Sequence, residues 1–158
     1  MPEGRASLNQ ALQQLRGQIS ADRGEEQMSD QEAYDIHVRR DPQVEDLVTR
    51  RLVRLDQGAS LDGGTGRMDR GEVLRALTDT RARAGRRYQT MLARTRAVLA
   101  TLRSTLQVLA RQGGRRAVVL VSRGFLLDPA VREFEELQRD SLLTGTPVSF
   151  LDTRDLGG

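Results

Sequence analysis

The chain has 158 residues, enough for one hydrophobic core, and holds no cysteine, which excludes disulfides and thiolate metal sites. No apolar run approaches the ~20 residues of a membrane span, and the first fifteen residues lack the apolar segment of a signal peptide. All 25 basic residues are arginine, against 22 acids, and residues 81–116 hold ten of them with no acid at all.

Residues 5–17 read as a helix, with Leu8, Ala11, Leu12 and Leu15 at helical spacing and Gly17 as its end. Ser29 and Glu32 have the spacing of a capping box, which predicts a short helix to about Arg39 that buries Ala33, Ile36 and Tyr34. Asp41-Pro42 restarts a helix, because an aspartate cap followed by proline suits the first turn. Val44, Leu47, Val48, Leu52 and Leu55 form its apolar stripe. Residues 1–57 are thus one helical segment, and residues 58–68 are a glycine-rich loop or linker. Gly63-Gly64-Thr65-Gly66 is not a phosphate loop, since no strand precedes it and no Gly-Lys-Ser/Thr follows.

A helical pattern then runs from about 69 to 112. Tyr88, Leu92, Thr95, Leu99, Leu102, Leu106 and Leu109 recur at alternating spacings of four and three. So few heptads favour a long helix packed on a sheet over a coiled coil. Gly85 marks a position where a kink or break is expected.

Ala117 to Val121 is an unbroken apolar run rich in valine, whose stiff side chain suits a strand. The absence of polar alternation predicts a central parallel strand at 116–122, covered on both faces. Asp128-Pro129 reads as a second aspartate-proline helix start, with Val131, Phe134, Leu137 and Ser141 or Leu142 on the apolar face. Gly145 ends that helix, and Pro147 to Leu151 is the next strand. Strand, crossover helix and strand over 116–151 make a parallel βαβ unit, so residues 69–158 form a long helix followed by that unit.

Ligands of open α/β sheets sit at the carboxyl ends of the strands. The candidate rim is therefore Ser122, Arg123, Asp128 and Asp152. Oxygen donors of this kind suit a hard cation such as Mg²⁺, but Asp128 as a helix cap and Asp152 as a strand end explain the residues equally well. Arg83, Arg87 and Arg94 lie on one side of the long helix and form an alternative nucleic-acid face. The scarcity of aromatics for base stacking weighs against it. The single histidine, His37, makes no triad or metal box, and nucleophilic catalysis has no support in the residue order.

Gly113 to Phe125 (GGRRAVVLVSRGF) resembles a conserved stretch of bacterial VWFA-related domains, in the von Willebrand factor type A (VWA) superfamily. Ser29 to Val44 resembles that group's helical insertion, and Pro147 to Gly157 is similar to its next strand. The resemblance implies a helix-rich, Rossmann-like α/β domain of which this chain is the latter part, with further strands on either side. It also implies a cation site at the strand tops. The Asp-x-Ser-x-Ser-type motif that opens the site in the family is absent, and Arg123 stands where the family often has aspartate. An arginine repels a cation, so Mg²⁺ is expected only in a completed parent domain, if at all. The expectation is a non-enzymatic protein-interaction module without a cofactor of its own.

Overall fold

The computed structural model describes residues 27–58, 69–112, 114–122 and 125–152. The helix expected at 5–17, most of the 58–68 loop, Arg123 and the chain beyond Asp152 lie outside them. The elements are α1 (Asp30–Tyr34), a π-helical turn (Asp35–Arg39), α2 (Pro42–Gly58), α3 (Arg70–Ala110), β1 (Val118–Ser122), α4 (Glu133–Thr144) and β2 (Val148–Asp152). The fold is mixed helix and strand, dominated by helix.

The expected helix starts at Ser29 and Asp41 are present. Ser29 Oγ accepts from the Glu32 amide at 3.1 Å, and Glu32 Oε2 accepts from the Ser29 amide at 2.8 Å. Asp41 Oδ1 accepts from the amides of Gln43 and Val44 at 2.8 and 3.3 Å, which leaves Pro42 with no donor to satisfy. Asp69 and Glu72 form a second capping box at the start of α3. In α2, Val48 and Leu52 are buried and Val44 packs against them, whereas Leu47 and Leu55 are exposed.

Helix α3 is unbroken for 41 residues, so no kink occurs at Gly85. The glycine answers a packing demand instead. A Cβ there would lie 3.3 Å from His37 Nδ1, so its absence lets the π-helical turn approach α3 closely. The heptad positions from Tyr88 to Leu106 are buried. They pack with Val131 and Leu137 and against Val118, Leu120, Phe134 and Val148, so the stripe faces the βαβ unit. Leu99 and Leu106 are fully buried, each contributing about 1.5–3 kcal/mol relative to exposure.

β1 and β2 pair in parallel, with Val118 opposite Val148 and Ser122 opposite Asp152. Three expectations are corrected here. The first strand begins at Val118 rather than 116. It is covered on one face only: Val118 and Leu120 face the core, while Val119 and Val121 are 63% and 49% exposed. An uninterrupted apolar run says only that both faces are apolar, not that both are covered. Finally, Asp128-Pro129 does not start α4. The chain makes a turn there, and the helix begins at Glu133. The Val131 amide donates to the Asp128 carbonyl and the Ala130 amide to its carboxylate, so those groups serve the turn. Gly145 ends α4 at φ 58°, a left-handed position that glycine favours, and Leu142 on its last turn is exposed.

Among the described residues no helix is long and apolar enough to cross a membrane.

Candidate functional site

The carboxyl end of the sheet brings Ser122 and Asp152 together as register partners. Arg123 follows Ser122 in sequence and lies outside the described residues. Asp128 is not on the rim in any accessible sense, being 3% exposed and turned toward α3. Its Oδ2 accepts from the Tyr88 hydroxyl at 2.6 Å, and its Oδ1 accepts from the Ala130 amide at 2.9 Å. The hydrogen bond to Asp128, together with burial, pushes the Tyr88 phenol up to about 12. With both carboxylate oxygens occupied, Asp128 acts as a tie between β1's exit loop and α3. Among the described residues no cluster of three or more His, Asp or Glu side chains has the geometry to hold a metal ion.

Beside the rim the three phenylalanines of the chain converge. Phe125 lies 6.2 Å from Phe134 and 5.9 Å from Phe150, both edge-on. With Ser122, Leu127 and Gln138 they border an open cleft of about 320 Å³. The other sheet face carries Val119, Val121, Ser149 and Leu151, because paired residues of parallel strands share a face. Leu151 is 49% exposed, so this face presents apolar surface on both strands.

The arginine face does not stand clear for phosphates. Arg87 Nε donates to Asp30 at 2.5 Å, and its side chain is only 12% exposed. Arg83 pairs with Asp56 at 3.5 Å, and Arg94 is engaged as well. Beyond these three, Arg81 is held by Glu45, Arg96 by Glu133, and Arg103 by Glu136 and Asp140. Five arginines of the acid-free stretch 81–116 are thus paired with acids of α1, α2 and α4.

The sequence reading passed over the surroundings of His37. This residue sits on the π-helical turn, its ring 5.1 Å from that of Tyr88. With Ile36, Arg40, Pro42, Glu45 and Arg81 it lines a cleft of about 440 Å³. Arg40, just past the turn, has φ 55°. Neither a π turn nor a left-handed arginine has a sequence signature that separates it from an ordinary helix end.

No protein-family model, curated protein or solved structure matches the chain.

Proposed function

We propose that the chain is a non-enzymatic, VWA-like interaction module that binds a protein partner through the open face of β1 and β2. The observation that carries this reading is the exposure of Val119, Val121 and Leu151 on one sheet face while the opposite face packs on the helices. Contiguous apolar surface on a sheet is costly in water and is a common basis of protein association. In the described residues each strand also has one unpaired edge, so a partner can add backbone hydrogen bonds to side-chain contacts. The VWA-like assignment is supported by the parallel strand–helix–strand order at 118–152 and by the long helix packed beneath it. Ser122 and Asp152, with Arg123 next in sequence, border the proposed surface at its carboxyl end. Asp128 supports it from inside.

Site-directed photo-crosslinking tests the proposal. A benzophenone side chain at position 121 is expected to capture a protein from extract of the source cells, and one at the exposed Arg86 position is not. Equal capture from both positions, or none from position 121, would sink the reading. Strong Mg²⁺ binding in a calorimetric titration would contradict the cation-free part of it.

A further inference from the structure

We infer that the cleft around the π-helical turn is a binding site for a small oxyanion, of the phosphate or carboxylate type. It lies away from the proposed sheet-face interface and does not depend on it. Its walls combine apolar Ile36 and Pro42 with His37, Arg40 and Arg81. Glu45, the carboxylate in the lining, is already committed. It accepts from Arg81 at Nε (2.5 Å) and Nη2 (3.2 Å), which holds the Arg81 side chain in the lining while leaving it 67% exposed. Asp41, beside the cleft, spends Oδ1 on the cap of α2, and Asp35 is taken by Arg39 and Gln31. Arg40 has no carboxylate partner among the described residues. The lining of this cleft of about 440 Å³ therefore sets two guanidinium groups against one carboxylate, with N–H donors beside the apolar Ile36 and Pro42.

The backbone supports the same conclusion. Residues 35–39 form a π-helical turn, a form that occurs mostly as single turns and frequently at functional sites. Arg40 is the one non-glycine residue with positive φ among the described residues. A helix ending in this left-handed conformation ordinarily takes glycine or asparagine. A large charged residue kept in a conformation that disfavours it is the pattern of a residue retained for what its side chain does.

This gives a test in which stability and binding move in opposite directions. His37 is the single histidine, so its ring protons report the site in an ordinary proton spectrum without assignment. The probe is sodium phosphate, with sodium acetate as a second arm and sodium chloride at matched ionic strength as the blank. Saturable shifts of the His37 ring signals with phosphate or acetate are expected, and the stronger arm identifies the anion class. Arg40→Gly should weaken binding at least tenfold while raising the thermal midpoint, since glycine relieves the left-handed strain. Arg86→Gln, an exposed arginine elsewhere on α3, should leave binding unchanged. The assignment is overturned by shifts that are absent or linear with both anions, by undiminished binding in Arg40→Gly, by a fall in that variant's midpoint, or by an equal loss in Arg86→Gln.

Discussion

The Tyr88 hydroxyl donates to Asp128 across 2.6 Å, joining two buried residues forty positions apart. This bond fastens the loop that leaves β1 to the middle of α3. Tyr88→Phe removes the donor and leaves a buried carboxylate oxygen without a partner. The expected cost is about 1–3 kcal/mol in denaturant unfolding. Asp128→Asn retains an oxygen acceptor and should cost less. In a double-mutant cycle the two changes should be strongly non-additive.

The same pair makes stability depend on pH at the alkaline end. Tyr88 ionises at about 12 in the folded chain, above its ordinary value of 10.0. A raised phenol pKa means that the folded state holds the proton more tightly than the unfolded one. Its contribution is complete below pH 10 and is lost as pH climbs from 10 toward 12. The difference in stability between the native chain and Tyr88→Phe should therefore shrink over that interval, as followed by urea midpoints. At the acid end the sign is opposite. The Arg51 hydrogen bonds hold the Glu32 carboxyl below its ordinary 4.5. That stabilisation is present above about pH 4.5 and fades as pH falls through the lowered value, so Glu32→Gln should flatten the acid limb.

The alternating stripe of α3 is a packing surface for the βαβ unit, and its two faces should respond differently to truncation. Leu99→Ala, at a fully buried position, is expected to cost about 2–5 kcal/mol. Val108→Ala, 58% exposed, should stay within about 0.5 kcal/mol. Thermal unfolding of both variants measures the contrast. A large effect at Val108 would indicate that this surface is covered.

Nucleic-acid binding by Arg83, Arg87 and Arg94 is expected to be weak. Filter binding at two salt concentrations should show a shallow dependence that triple substitution to Gln leaves nearly unchanged. Arg87→Gln should instead lower stability by on the order of 1 kcal/mol by breaking its pair with Asp30. Tight, steeply salt-dependent binding abolished by the triple variant would establish the rival function.

Features governed by neighbours in sequence were legible before the fold was known. The capping box at Ser29, the Asp41-Pro42 start, the extent of α3 and the positions of both strands all follow from local hydrogen bonding or periodicity. What depends on tertiary placement was not. Asp128-Pro129 has the same local chemistry as Asp41-Pro42, yet the aspartate is drawn to Tyr88 and the helix starts later. Val119 and Val121 are as apolar as Val118 and Leu120, so their exposure is visible only once the helices are seen to lie on one side. Gly85 looked like a helix breaker because its neighbour across the fold, His37, is 48 residues away in the chain. Ser122 and Asp152 share one end of the sheet because the strands they close run in parallel, whereas the His37 cleft arises from a π turn that periodicity cannot reveal.

Parallel pairing of β1 with β2 underlies the sheet face, the rim and the proposed interface. Backbone nuclear Overhauser contacts in isotope-labelled protein test it most directly. Contacts of Val118 with the region of Val148 and of Ser122 with that of Asp152 are the predicted result. Contacts of Val118 with Asp152 and of Ser122 with Val148, or none between the two segments, would contradict it.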